Sequence, residues 1–177
     1  VLEQLVLWTP GMVTLFASHT WLSQSHPDDQ ANSKLRLLQA FLRDGGTRAI
    51  TADWSVEKTV GRKLTVPVKA LAKIGYVWLD YWSIPQANRD NQGKAIQSIP
   101  AYVANADFFV VLAGAWRDEA GRLRDLRAWT TRGWCRLELL CNGLSPRAKP
   151  LIVAESRTAV RSLSSVGLDA RMWTTES

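Results

Sequence analysis

The chain has 177 residues, of which 46% are hydrophobic, and a formal net charge of +6. This length and apolar content are typical of one globular domain with a substantial core. No run of eighteen apolar residues occurs, and residues 1–8 carry neither a basic leader nor a small-residue cleavage site, so we expect a cytoplasmic protein with no membrane partner. Because the first residue is not methionine, we expect residues 1–177 to be a single domain excised from a larger protein.

The lysines and arginines that give the chain its positive charge are scattered, with a modest concentration at residues 117–136. Scattered charge is more typical of a solvated basic face than of a nucleic-acid interface, so nucleic acid is not expected as a partner. Binding to DNA or RNA would show itself as a steep dependence on salt. A small anionic ligand would benefit from the same positive field.

The cysteines and histidines are few. Cys135 and Cys141 are six residues apart and fall on different sides of one predicted helix, which is poor geometry for a disulfide, so we expect two buried thiols. His19 and His26 belong to no cluster with metal-ligand spacing. No metal site is predicted.

The first third of the chain predicts a strand followed by a helix. Residues 1–8 form either a short helix or an extended lead-in. Residues 12–17 are an apolar run between turn and polar residues, which predicts a buried parallel strand. After a loop, Asp28 or Asp29 is expected to cap a helix that runs to Arg43. Its apolar stripe is Leu35, Leu38 and Leu42, and Gly45-Gly46 stops it.

The middle of the chain continues this alternation. Residues 48–52 have a weak strand pattern and residues 67–73 a weak helical one. Residues 76–81 predict a clear strand that ends in a polar loop. Residues 93–104 are helical in pattern, although Pro100 disturbs the middle of that helix.

The last third contains the most hydrophobic strand pattern of the chain, residues 107–113. An arginine-rich loop at residues 116–131 leads into a helix around Glu138, which Asn142-Gly143 ends. Residues 150–154 predict another buried strand. Strands and helices therefore alternate, which indicates an α/β fold with an open, mostly parallel sheet and helices on both faces.

In such a sheet, ligands bind at the carboxyl ends of the strands. By this rule residues 18–21, residues 80–84, residues 114–116 and the start of the Glu138 helix are expected to converge around one pocket. The chain lacks the G-x-G-x-x-G, G-x-x-x-x-G-K-[ST] and G-x-S-x-G motifs. A Rossmann dehydrogenase, a P-loop nucleotide hydrolase and a serine hydrolase with a nucleophile elbow are therefore disfavoured.

Glu138 is the acid on which we expect the chemistry to depend. It lies one helical turn after Trp134, so the indole is expected to cover the carboxylate and to desolvate it partly. A desolvated carboxylate acts more strongly on a bound cation. The alternative is an exposed helical glutamate that pairs with Arg132 or Arg136, which is the usual fate of a lone helical acid.

Residues 134–139 carry a family resemblance. They read Trp-Cys-Arg-Leu-Glu-Leu and resemble the tryptophan-cysteine-x-x-glutamate-leucine motif of TIR (Toll and interleukin receptor) domains. Residues 13–18 look like the first strand of that family and its following box, and residues 78–80 with the next loop look like its second strand and BB loop. Residues 93–113 resemble the helix and strand that lead toward the glutamate.

Residues 78–86 also resemble the related fungal heterokaryon-incompatibility (HET) domains, which carry a similar tryptophan-x-aspartate followed by an isoleucine and a glutamine. The combined resemblance covers about residues 12–154 and implies a flavodoxin-like sheet of the TIR type. Two stretches are longer than is usual in the family. They are the segment between the first helix and the second strand, and the loop before Arg132.

The motif glutamate is the catalytic residue of NAD-cleaving TIR domains, so the resemblance implies that Glu138 is catalytic. NAD would be the substrate, and no separate cofactor is expected. The expected products are nicotinamide and ADP-ribose or a cyclised variant, formed in immune or cell-death signalling after self-association, often with the BB loop of one copy completing the site of another. The alternative is a noncatalytic TIR-like interaction module in which Glu138 is structural.

Seven further residues are predicted to bind the substrate. They are Ser18, His19, Trp21, Asp80, Trp82, Arg132 and Trp134. In this hypothesis Ser18 and His19 hydrogen-bond the ribose or phosphates, Trp82 or Trp134 packs against a ring, and Arg132 balances the pyrophosphate. Structural alternatives stay open: Ser18 or His19 caps a loop, Asp80 binds loop amides, and Trp134 packs to shape the pocket.

Overall fold

The centre of the protein is a six-stranded β-sheet. The computed structural model describes residues 6–44, 50–52, 66 and 68–163. The strands are β1 (Thr14–His19), β2 (Thr51–Ala52), β3 (Tyr76–Leu79), β4 (Phe108–Leu112), β5 (Trp116–Arg117), β6 (Leu123–Arg124), β7 (Leu151–Ala154) and β8 (Val160–Leu163). The helices are α1 (Ser33–Asp44), α2 (Val68–Leu71), α3 (Asp80–Ser83), α4 (Arg89–Gln97), α5 (Ile99–Asn105), α6 (Leu126–Thr131) and α7 (Gly133–Leu144).

The strand order in the sheet is β2-β8-β7-β4-β1-β3. β3, β1, β4 and β7 run parallel, whereas β8 is antiparallel to β7 and β2 is parallel to β8. β5 and β6 form a separate antiparallel hairpin. The predicted fold class is confirmed: an open, mostly parallel α/β sheet of the flavodoxin-like kind. The antiparallel β8 was not predicted.

Alternation along β1 builds a core on each face of the sheet. Leu15 and Ala17 join Phe41 of α1 in one cluster, whereas Phe16 joins Leu139 of α7 in the other. Burying each large apolar side chain contributes about 1.5–3 kcal/mol. Because successive side chains of a strand point to opposite faces, Ser18 faces the side of α7 and His19 the side of α1. The sheet therefore places two polar side chains on its two faces at the same edge.

The first helix begins later than predicted. It starts at Ser33, although the carboxylates of Asp28 and Asp29 do cap it, accepting hydrogen bonds from the backbone N–H groups of Lys34 and Ser33 respectively. Its buried face is Lys34, Leu37, Leu38 and Phe41. The predicted stripe was therefore displaced, because Leu35 and Leu42 are only half-buried.

Two predictions in the middle of the chain were wrong in their boundaries. The strand predicted at residues 76–81 ends at Leu79, and Asp80 begins the short helix α3. The single helix predicted at residues 93–104 is two helices that meet at Ser98, just before Pro100. A proline lacks the N–H that an uninterrupted helix needs, so the chain restarts there.

Further corrections concern the C-terminal half. Residues 116–131, predicted as a loop, contain the β5–β6 hairpin and helix α6. The Glu138 helix continues past Asn142-Gly143 to Leu144. Both cysteines are free, as expected, but only Cys135 is buried and Cys141 is half-buried.

Several predictions fall partly or wholly on residues 1–5, 45–49 and 67, which lie outside the described residues. Of the two segments with weak patterns, residues 48–52 include a strand at Thr51–Ala52 and residues 67–73 include a helix at Val68–Leu71. In residues 6–44, 50–52, 66 and 68–163, no helix has both the length and the apolar character needed to cross a membrane.

Candidate functional site

Glu138 is held from within the protein by a chain of two hydrogen bonds. The Oγ of Ser18, at the end of β1, donates to Oε2 of Glu138 on α7. The indole Nε1 of Trp129, on α6, donates to the same Oγ at 2.8 Å. An indole N–H can only donate, so the single proton of the Ser18 hydroxyl is directed to the carboxylate. Ser18 therefore positions Glu138.

The second oxygen of this carboxylate has a different environment. Among the hydrogen bonds of the described residues, none engages Oε1 of Glu138. Glu138 is only 7% exposed, yet it lines the main pocket, a cavity of about 560 Å³. One oxygen is thus fixed by the protein, and the other is left for a ligand.

Burial raises the pKa of Glu138 to about 8, because the charged form loses its hydration. The Ser18 hydrogen bond opposes this rise, and the negative charge of Asp80 adds to it. A carboxyl group with this pKa is mostly protonated at neutral pH and ionises readily when a cation binds beside it. Perturbed carboxyl groups of this kind are concentrated at functional sites.

The alternative of an exposed, ion-paired Glu138 is wrong, since its side chain is buried and bonded to Ser18. The expectation that Trp134 covers the carboxylate also needs correction. Trp134 is 56% exposed and lines the pocket, whereas the buried indole beside the site is Trp129. The spacing of one helical turn predicted that Trp134 would cover Glu138. The buried indole beside Ser18 and Glu138 is instead that of Trp129, on the preceding helix.

A second polar group lies at the ends of β1 and β3. Asp80 Oδ1 accepts a hydrogen bond from His19 Nε2 at 2.9 Å, and Oδ2 accepts one from Trp21 Nε1 at 2.6 Å. Burial alone would raise the pKa of Asp80, but these hydrogen bonds and the one from the Tyr81 backbone N–H lower it. Asp80 therefore accepts from a backbone amide inside α3, not from a loop amide as one alternative supposed, and also orients His19 at the end of β1 and Trp21 just after it.

The main pocket has a volume of about 560 Å³. Six predicted site residues line it: His19, Trp21, Asp80, Arg132, Trp134 and Glu138. Ser18 is not among the lining residues and is 1% exposed, so it acts behind Glu138. Trp82 is not brought to this pocket. It lines a neighbouring cavity of about 390 Å³, and His19 contributes to both.

Sequence reasoning missed several side chains of the site. Asp118, Arg122 and Arg124 line the pocket, and Trp129 supports Ser18 behind it. The only sequence signal was the concentration of arginines in the segment before Glu138. That segment folds as a hairpin and a helix, and the hairpin forms one wall of the pocket.

Replacing His19 by alanine is expected to lower the free energy of unfolding by about 2 kcal/mol, because the half-buried anion Asp80 loses one donor and an imidazole is removed from the interior. Glutamine can present an N–H near the position of Nε2, so His19→Gln is expected to cost less than half as much. Urea unfolding measures both. His26→Ala is the matched control, since His26 is exposed and is held through its backbone, and equal losses for His19→Ala and His26→Ala would contradict the prediction.

No group of three or more His, Cys, Asp or Glu side chains suited to a metal ion occurs in the part of the chain that the structure describes. The polar centre of the pocket is instead formed by Glu138 with Ser18 and Asp80 with His19. In comparisons with protein-family models, with curated proteins and with solved structures, no match to this chain was found.

Proposed function

We propose that the protein is a TIR-type NAD nucleosidase, in which Glu138 stabilises the ribosyl cation formed when nicotinamide leaves. The observation that carries this proposal is the buried carboxylate of Glu138, fixed by Ser18 through one oxygen at the wall of an open pocket. The reaction would serve immune or cell-death signalling after the domain associates with further copies of itself.

The chemistry of NAD suits a site with one strong carboxylate. The bond from C1′ of the ribose to the nicotinamide nitrogen breaks with its electron pair going to nitrogen, so a positively charged ring leaves as neutral nicotinamide. No general acid is needed for this departure, in contrast to ordinary glycosides, which are cleaved between two acids. The positive charge moves to the ribose, where a nearby carboxylate stabilises the transition state.

The raised pKa of Glu138 suits both steps of such a reaction, the departure of nicotinamide and the addition of water. The cationic nicotinamide ring, when it binds, favours the ionised carboxylate. After the ring departs, water adds to C1′ and must lose a proton. A carboxylate whose pKa is about 8 is a suitable acceptor near neutral pH. ADP-ribose is the product when water is the nucleophile.

The other pocket residues have roles in the same proposal. Trp134 offers a partly exposed indole against which a ring can pack, and Arg132 brings a positive charge to the rim. Asp80 orients His19 and Trp21, which line the same pocket. The proposed role of Trp82 is moved to the neighbouring cavity, where it would serve a more distant part of the dinucleotide or a second copy of the domain.

The second candidate is a noncatalytic module for homotypic assembly. One observation favours it: Leu140 and Leu144 lie one turn apart on α7 and are 54% and 76% exposed. Two leucines on one exposed helix face form an apolar surface that another protein can cover. The two candidates differ in what they require of Glu138, because assembly alone does not need a carboxylate that lines a pocket.

The proposal is tested by incubating concentrated protein with NAD and measuring free nicotinamide, both for the chain alone and for a fusion to an oligomerising coiled coil. The wild-type protein is expected to release nicotinamide, more strongly when assembled, and Glu138→Ala is expected to be inactive. Equal release by the two proteins in the assembled form overturns the enzymatic proposal. An assembled wild-type protein that leaves NAD intact favours the interaction module.

A further inference from the structure

The β5–β6 hairpin, residues 116–124, forms a wall of the main pocket that is fixed at both ends. At its base, the ring of Trp116 packs so close to Gly114 that a Cβ there would lie 2.7 Å from it, and the Lys34 ammonium lies 5.4 Å from the ring centre. Near its tip, the backbone N–H of Glu119 donates to the carbonyl of Leu22 at 3.1 Å. The hairpin is therefore held against the loop that follows β1.

Asp118 organises the arginines of this hairpin. Its Oδ2 accepts hydrogen bonds from Arg122 Nε at 2.9 Å and from Arg124 Nε and Nη2 at 3.1 and 2.5 Å. Its Oδ1 accepts from the backbone N–H groups of Ala120 and Arg122. Although partial burial would raise the pKa of Asp118, these hydrogen bonds lower it to about 2, so the carboxylate stays charged and keeps both arginines in place.

The cluster retains positive charge and unused donors that can reach the pocket. Two guanidinium groups share one carboxylate, which leaves a net charge of +1. Arg124 has five N–H donors, and two go to Asp118. Its side chain is only 14% exposed, yet Arg124 and Arg122 both line the pocket that contains Glu138. A preorganised, weakly hydrated guanidinium of this kind is suited to phosphate.

We infer that the hairpin is a phosphate-binding subsite, in which Arg124, positioned by Asp118 and assisted by Arg122, binds the pyrophosphate of a dinucleotide. The inference rests on the proposed function for the identity of the ligand and adds the residues that recognise its pyrophosphate. The site selects nucleotides with a phosphate bridge over nucleosides that lack one.

The free energy of phosphate recognition comes from donors that are already in place. An arginine free in solvent loses side-chain entropy when it binds an anion, whereas Arg124 is held by two hydrogen bonds before any ligand arrives. Asp118 is a positioning residue in this account, since its own oxygens are occupied by the hairpin. Arg122, with a side chain that is 70% exposed, contributes less.

The test compares the binding of ADP-ribose and of adenosine to purified variants by calorimetry. Arg124→Gln is expected to weaken ADP-ribose binding at least about tenfold, as is typical for a lost bidentate phosphate contact, and to leave adenosine binding unchanged. Arg122→Gln is expected to weaken ADP-ribose binding about threefold. Arg117→Gln is the matched control, because Arg117 lies on the same hairpin and is exposed but does not line the pocket.

Binding separates this inference from the enzymatic proposal. ADP-ribose affinity that depends on Arg124 in a protein that leaves NAD intact supports the subsite and overturns the nucleosidase alone. The subsite is overturned if Arg124→Gln weakens ADP-ribose binding no more than Arg117→Gln, if it weakens adenosine binding equally, or if the wild-type protein does not bind ADP-ribose. Should Arg124→Gln fail to fold, Arg122→Gln is compared with Arg117→Gln in the same way, because the side chain of Arg122 is exposed and its replacement does not disturb the fold.

Discussion

Replacing Glu138 by glutamine is expected to lower the rate of nicotinamide release at least about a hundredfold, the usual loss when a group that stabilises developing charge is neutralised. Glutamine has nearly the same shape, and its side-chain carbonyl can still accept the hydrogen bond from Ser18. The variant therefore tests charge and not packing. Release of nicotinamide by the assembled protein, followed over time, measures the effect.

The same substitution is expected to stabilise the fold at alkaline pH. The pKa of Glu138 is raised from 4.5 to about 8 in the folded protein, so the folded state holds a proton that the unfolded state has released. The stability that this bound proton contributes is fully present below about pH 4.5 and is lost as the pH rises through about 8. At about 1.4 kcal/mol per pKa unit, the wild-type protein loses roughly 3–5 kcal/mol relative to Glu138→Gln across this window.

Urea unfolding of both proteins at about pH 5 and about pH 9 measures this difference. Glu119→Gln is the matched control, because Glu119 lines the same pocket but is exposed, and it is expected to change the rate less than about threefold and the pH profile of stability hardly at all. A Glu138→Gln protein that keeps full activity removes the catalytic role of the carboxylate. Parallel pH profiles for the wild type and Glu138→Gln would show that burial does not perturb its ionisation.

The parts of the fold that the sequence predicted are those with continuous apolar patterns. Strands β1, β4 and β7 are runs of buried residues, and such runs between helices indicate a parallel sheet. The same patterns brought Ser18 and Asp80 to one edge, where the structure has them. Strand β8 has a mixed sequence, Val-Arg-Ser-Leu, and pairs antiparallel at the side of β7. Its partner is chosen by tertiary contacts that no local pattern contains.

The sequence singled out Glu138 as the acid of the candidate site, but it did not indicate that Trp129 would hold Ser18 against it. Glu138 and Trp134 were singled out from one motif, because residues one turn apart share a helix face. Trp129 lies nine residues before Glu138 and reaches Ser18 only because α6 folds back against α7 and the sheet. Spacing rules hold within one helix and do not carry across a break between helices. The contribution of the hairpin was missed for the same reason.

Replacing Trp129 by alanine is expected to lower the free energy of unfolding by about 3–5 kcal/mol, the range for a large aromatic side chain removed from a core. Trp129 is completely buried, packs with Cys135 and Leu139 of α7, and donates to Ser18. A loss of this size is a large part of the stability of an ordinary domain. Urea unfolding near neutral pH measures it, with Trp134→Ala as the matched control.

Trp134 is the same residue type on the neighbouring helix but is more than half exposed, so Trp134→Ala is expected to cost less than about 1 kcal/mol. Trp129→Phe keeps an aromatic six-membered ring in the core but removes the Nε1 donor with the rest of the indole, so its cost of about 2 kcal/mol combines a lost hydrogen bond with a small cavity. Without that donor the Ser18 proton is no longer directed to Oε2 of Glu138, so Trp129→Phe is also expected to slow nicotinamide release. A Trp129→Phe protein that is as stable and as active as the wild type would show that the carboxylate is held by the fold without the Trp129–Ser18 hydrogen bond, and the position of Glu138 would then have to be explained by α7 alone.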